Sequence, residues 1–165
     1  RERSERYLFW RQLIISLTAV GLVYILFIRP VESFAIREFI LPAIDFIIKP
    51  DSDIFTKPDL QPGSDDFFLL SHSNLFPRIR IEVPFNGYFW LAMAMIWPTT
   101  NRRFGRVIWI YNWVLFLIIP IVAISIINGF TWLALLNNVH EKTYKALFLI
   151  LGILAVREAD ELLKD

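Results

Sequence analysis

The chain has little of what most enzymes use for chemistry. Its 165 residues include no cysteine, two histidines and six glycines. The missing cysteine excludes disulfide frameworks, thiolate metal sites, iron–sulfur clusters and cysteine nucleophiles. The few scattered glycines form no phosphate-binding loop. We therefore expect no cofactor and no bound metal, and we expect that the protein is not an enzyme.

Charge is also scarce, and apolar side chains take its place. Only 20% of the residues are charged, and 17 basic against 16 acidic side chains give a net charge of +1. So small a charge does not attract nucleic acid, and we expect no nucleic-acid partner. Apolar residues make up 56% of the chain, against roughly 45–50% in soluble domains. Because a small soluble domain could not bury this much apolar surface, we expect the lipid bilayer as its surroundings.

Four apolar segments are candidates for crossing that bilayer. A helix needs about 20 apolar residues to cross a hydrocarbon core roughly 30 Å thick. Residues 8–28 and 107–127 meet this length, and residues 85–98 and 146–156 approach it when their flanks are included. We predict an all-α integral membrane protein, a single polytopic domain over residues 1–165, with about four transmembrane helices.

The first segment has an alternative interpretation as a cleaved signal peptide. Its apolar run is longer than a typical signal sequence, and Arg29-Pro30 rather than a small-residue cleavage site follows it. We therefore predict a retained helix.

The distribution of arginine predicts the orientation of these helices. Arginines cluster in the first eleven residues and in the short turn between the segments at residues 85–98 and 107–127. They are Arg1, Arg3, Arg6, Arg11, Arg102, Arg103 and Arg106. Short arginine-rich stretches stay cytoplasmic. We predict a multi-pass protein of the bacterial plasma (inner) membrane, with both termini in the cytoplasm.

A long extracytoplasmic loop, residues 29–82, is predicted to be structured. Within it, residues 32–49 suit an interfacial helix, or equally a helix packed on the transmembrane helices. Residues 50–66 are rich in aspartate and proline and predict an irregular, solvated excursion. The segment at residues 67–71 is mostly apolar, and charged and apolar side chains alternate over residues 78–83. This pattern predicts a small β-hairpin with one face on the membrane surface or on a partner.

Two groups of residues are candidates for docking a partner. The segment at residues 107–127 carries one amide side chain near its start and another just after its end. Amides in lipid are stabilised by hydrogen bonds to a neighbouring helix or subunit. The hairpin contributes aromatic and branched side chains. The candidate docking residues are Asn112, Asn128, Phe67, Phe68, Ile79 and Ile81.

The two histidines support a rival interpretation. His72 and His140 both fall on the predicted outer side, so an aspartate and these two rings could form the acid–base site of a membrane hydrolase or transpeptidase. No HxxxH or HExxH spacing is present. A transporter or channel subunit is a third possibility, although the clean spans carry no charge beyond Arg11 near one edge.

The order of features from the hairpin to the last helix forms a recognisable pattern. Ile81-Glu82-Val83 leads to Gly87, which opens a membrane helix, and an arginine-rich turn follows. The next helix carries Pro120 and ends near Asn128, and His140 precedes the last helix. This order resembles the C-terminal half of the exosortase and archaeosortase membrane transpeptidases. The resemblance covers residues 67–156 and rests on these single positions.

The resemblance fails where the chemistry of that family takes place. Phe85 stands at the position of its nucleophilic cysteine and Asn86 at that of the following serine. Thr131 stands at the position of its arginine, and only His140 has a counterpart. Because phenylalanine cannot form a thioester, the resemblance implies a catalytically silent relative. We expect a non-enzymatic accessory or structural subunit of a larger membrane complex, with an exosortase-like enzyme as one candidate partner.

Overall fold

The computed structural model describes residues 2–48, 53–58, 66–72, 78–81, 83–99 and 102–163. These residues form a mostly helical protein with one small sheet. The helices are α1 (Glu2–Val23), α2 (Arg29–Ala35), α3 (Leu41–Ile47), α4 (Gly87–Ile96), α5 (Arg102–Ile127) and α6 (Leu133–Leu162), and the strands are β1 (Ile54–Pro58), β2 (Phe67–Ser71) and β3 (Ile79–Ile81). Single π-helical turns, Tyr24–Ile28 and Ile36–Ile40, join α1 to α2 and α2 to α3.

The first three helices form one continuous rod, which we call the N-terminal rod. The N–H of Arg29 bonds the carbonyl of Tyr24, and that of Leu41 bonds the carbonyl of Ile36, each five residues earlier. A wide π turn directly before Pro30 and Pro42 accommodates a residue that has no N–H and would clash in a regular α turn. Residues 32–47 are helical, as the sequence predicts, but they continue α1 through both prolines and do not form a separate helix.

The sheet has three antiparallel strands in the order β1-β2-β3. Phe67 pairs with Ile81 and Leu69 with Ile79, which confirms the predicted hairpin. The third strand, β1, lies inside the segment that we expected to be irregular, and Ile54 pairs with Ser71. Its β-branched and aromatic residues favour a strand, whereas the aspartates and prolines around them favour a loop.

The apolar face of the sheet is part of a core and is not a free surface. Ile79 and Ile81 are fully buried and Phe67 is 3% exposed, packed with Ile36 of the rod and Ile126 of α5. Phe68, on the other face, lies under the guanidinium of Arg78 and is also buried. These hairpin residues therefore stabilise the chain's own fold, and their role in docking a partner stays a prediction.

Helix α4 occupies the centre of a second core below the sheet. It packs against α1, α5 and α6. Its Phe89 and Ala92 are completely buried, together with Ile108 of α5 and Phe148 of α6. Gly152 of α6 allows the closest approach, because a Cβ atom there would lie 3.0 Å from the Met95 sulfur.

Polar contacts fix the ends of this bundle. Arg6 forms a bidentate ion pair with Asp160, at 2.7 and 3.0 Å. Ser16 donates a hydrogen bond of 2.8 Å to the Ala94 carbonyl and so joins α1 to α4. The start of α1 therefore lies beside the end of α6.

Two helical stretches are long and apolar enough to cross a membrane, as judged by length and composition. They are Ser4–Ile47 and Arg102–Ile127. None of the most apolar part of the first stretch is buried. Helix α4, with 10 residues, extends only about 15 Å. The structure thus has helices at all four predicted positions, and two of them have the length and apolar character of a membrane span.

We predict that Gly152→Leu separates α4 from α6 and lowers the stability of the protein by about 1–3 kcal/mol, the usual penalty of overpacking. The matched control is Gly21→Leu, because a Cβ at Gly21 has no atom within 4 Å. Both changes gain helix propensity, so the difference between their melting temperatures reports packing alone. Equal melting temperatures would show that the α4–α6 contact is not close.

Candidate functional site

The start of α4 carries an unusual backbone turn. Phe85 has a φ angle of 65°, which is strained for a bulky side chain and is found preferentially at functional sites. The next residue, Asn86, caps the helix: its side-chain oxygen accepts hydrogen bonds from the N–H groups of Tyr88 and Phe89, at 3.1 and 3.4 Å. Asparagine is among the residues preferred for this cap. The turn therefore ends the extended chain after β3 and begins α4 in two residues.

Asn112 of α5 holds this turn in place. Its amide oxygen accepts a 3.0 Å hydrogen bond from the Phe85 N–H, and its amide nitrogen donates at 2.9 Å to the Ile108 carbonyl. The side chain is 1% exposed. Asn112 was predicted to dock a partner, but its two amide atoms bond within the chain, so the structure gives it an intrachain role.

The polar contacts continue from Asn86 into α6. The Asn86 amide nitrogen donates to the Tyr144 hydroxyl at 2.5 Å. The Tyr144 ring lies 5.2 Å from the ring of His140, one turn earlier. The Tyr111 hydroxyl lies 2.6 Å from the His140 Nε2. We call the set of Phe85, Asn86, Tyr111, Asn112, His140 and Tyr144 the polar cluster.

The polar cluster borders a groove between α5 and α6. The groove has a volume of about 330 Å³, and Tyr111, Asn137 and His140 supply its polar atoms, whereas leucine, isoleucine and valine side chains form the other walls. Phe85 is on the opposite side of the cluster, where its ring packs against Phe89 and Trp113 at centroid distances of 5.0 and 5.4 Å. Apolar side chains therefore surround the cluster.

The composition of the cluster limits its chemistry. Nucleophilic catalysis uses a nucleophile held by a base, which an oriented third group supports. At the strained turn stands a phenyl ring, and the Nε2 atom of His140 is paired with Tyr111. The amides of Asn86 and Asn112 are bonded to backbone or to Tyr144. The arrangement resembles a set of structural hydrogen bonds more closely than a reaction centre.

The other predicted site residues lie away from this cluster. Asn128 is exposed and follows α5, where its amide bonds the Ile124 carbonyl of its own helix. Thr131 is exposed in the same turn. His72 stacks on Phe55 of β1 at 4.4 Å. The described contacts of His72 and His140 share no residue, so the structure does not bring the two histidines into one acid–base site.

Sequence reasoning missed Asn86, Tyr111 and Tyr144. Asn86 had a usable signal, because an asparagine directly before an apolar run marks a helix N-terminus. Tyr144 lies four residues after His140, a spacing that puts both on one helix face. Nothing in the sequence links His140 to Tyr111, because the contact between their side chains joins two different helices.

The chain was compared with known proteins in three ways. No family model, curated protein or solved structure matches it.

We predict that Asn112→Leu lowers the stability of the protein by about 1–3 kcal/mol, because the buried Phe85 N–H loses its acceptor. Asn128→Leu is the control, since it also removes an amide but at an exposed position, and it is expected to change stability by less than about 0.5 kcal/mol. Thermal unfolding of the two purified variants measures the difference. If both variants unfold at the wild-type temperature, the Phe85–Asn112 bond does not stabilise α4.

Proposed function

We propose that this protein is a multi-pass membrane protein without catalytic activity, and that it serves as an accessory subunit of a larger membrane complex. Its helices cross the plasma membrane about four times with both termini in the cytoplasm, and α4 is embedded between the others. The observation that carries the subunit function is the mixed surface of the N-terminal rod, where large apolar and charged side chains are exposed side by side.

The membrane part of the proposal is supported by the apolar outer surface of the helices. Along the N-terminal rod and α5, side chains such as Ile14, Leu26, Leu117 and Ile121 are more than half exposed. A water-soluble monomer rarely exposes continuous apolar patches of this extent. Lipid would cover these faces, and the arginines in the first half of α1 and at the start of α5 would lie at the cytoplasmic surface.

The part of the rod that follows α1 does not share this purely apolar surface. Phe34, Phe39 and Phe46 are 60%, 66% and 91% exposed, and Arg37 and Glu38 are exposed beside them. Lipid around this surface would leave the charged side chains in an apolar environment, which is energetically costly. Water around it would leave the large phenylalanine rings exposed, which is also unfavourable. A protein partner that offers both apolar and polar contacts satisfies the whole surface.

The absence of catalysis is supported by the polar cluster. Its histidine is paired with Tyr111, and a phenylalanine stands at the strained turn. The resemblance of residues 67–156 to the exosortase and archaeosortase family supports a narrower version, in which a catalytically silent relative binds an exosortase-like enzyme. In that version Phe85 and Asn86 replace the reactive residues, and the site has become a stabilising contact.

A second function, a membrane hydrolase or transpeptidase, is favoured by one observation. The short contact between Tyr111 and His140 lies in the wall of an apolar groove, where a general base could act on a bound substrate.

The subunit function predicts a specific complex that depends on the rod. When the protein is extracted with a mild detergent from carbonate-washed membranes, we expect one partner in stoichiometric amount. Phe39→Ala should lower recovery of that partner about tenfold or more, as expected for a central interface residue. The control is Phe130→Ala, which removes an equally exposed phenylalanine (56%) after α5. A lone monomer, or equal losses in both variants, would contradict the proposal.

The absence of catalysis predicts that His140→Ala leaves the activity of the complex within about twofold of wild type. His72→Ala is the matched control, because it removes the other histidine from a different part of the fold. Removal of a true acid–base group lowers turnover by about 10²–10⁴. A loss of that size in His140→Ala alone, with the complex still assembled, would favour the hydrolase.

A further inference from the structure

A second groove follows α4 from Phe89 and Trp90 in its first turn to Trp97 just after its end. It runs between α1 and α4 and has a volume of about 700 Å³, within the range of ligand-binding pockets. Most of its wall is apolar or aromatic, and Ala19, Trp90 and Trp109 are among the residues that form it. It continues past Met93, Trp97 and Trp109 into a smaller groove of about 570 Å³ at the start of α5.

The smaller groove ends at two arginines. Arg102 and Arg106 are exposed, line this groove and lie one helical turn apart, so they share a face of α5. Among the residues that the structure describes, neither has an ion pair or hydrogen bond to another side chain. A long apolar groove therefore opens onto two positive charges that have no acidic partner in the part of the chain that the structure describes.

We propose that this continuous groove binds an anionic phospholipid of the cytoplasmic leaflet. The acyl chains would lie along α1 and α4, and the phosphate would bind between Arg102 and Arg106. Basic pockets on the cytoplasmic side of transmembrane helices recognise anionic head groups in this way. The inference rests on the proposed function, because the membrane places these arginines at the lipid head groups.

The chemistry of the groove between its two ends fits the same ligand. Tryptophans favour the boundary between hydrocarbon and head groups, and Trp90, Trp97 and Trp109 all line the groove. A free phosphate would explain the arginines but would leave the apolar groove unused.

The test uses the full chain in a neutral detergent and two lipids with identical acyl chains, phosphatidylglycerol and phosphatidylcholine. We expect phosphatidylglycerol to bind about tenfold more tightly, measured by native mass spectrometry and by the rise in melting temperature. Arg102→Gln with Arg106→Gln should remove this preference. The control Arg103→Gln removes one positive charge, against two in the double variant, from the same part of α5 at a residue outside the groove, and it should retain most of the preference.

A second variant tests the apolar part of the groove. Ala19 is exposed and lines it, so Ala19→Phe should fill the groove and weaken both lipids while both arginines remain. Glycerol 3-phosphate, a head group without chains, should have no effect on the melting temperature. Equal binding of the two lipids, an equal loss in Arg103→Gln, or a full response to glycerol 3-phosphate would overturn the lipid site. Loss of the chain from carbonate-washed membranes would instead contradict the proposed function.

Discussion

The helical bundle depends on one hydrogen bond, from the backbone N–H of Phe85 to the amide oxygen of Asn112. It fixes the point at which the chain leaves the sheet and begins α4. Since α4 contacts α1, α5 and α6, the position of its first turn determines how the other three helices surround it. A buried N–H without an acceptor would destabilise this turn, which already contains a strained residue.

Hydropathy predicted the positions of the helices well but did not predict where they begin, end or continue into one another. The apolar segments around residues 107–127 and 146–156 lie in helices, because a long apolar run has few alternatives. The first membrane segment was predicted to end at residue 28, yet π turns accommodate Pro30 and Pro42 within one continuous rod. Strand β1 was missed because Ile54 and Phe55 stand between aspartates and prolines, and the strand forms only by pairing with β2.

The candidate site was harder to predict than the fold, for a physical reason. Asn112 was singled out as an amide in a membrane segment and His140 as one of two histidines on the predicted outer side, and both belong to the polar cluster. The role of Asn112 depends on its bond to Phe85 before α4, and that of His140 depends on its contact with Tyr111 of α5. No local sequence pattern indicates contacts between separate elements. The hairpin shows the converse: Ile79 and Ile81 alternate as a strand should, but alternation does not reveal whether a strand's apolar face is covered by its own chain.

The ion pair between Arg6 and Asp160 also has a consequence for biosynthesis. It joins two residues that are 154 positions apart in the chain, so Arg6 is translated long before Asp160. Helix α1 has no Asp160 to pair with until α6 has been translated. In the membrane proposed here, α1 would therefore be inserted well before its ion pair could form and would remain a loosely held neighbour. The bundle would close around it only after α6 had been translated.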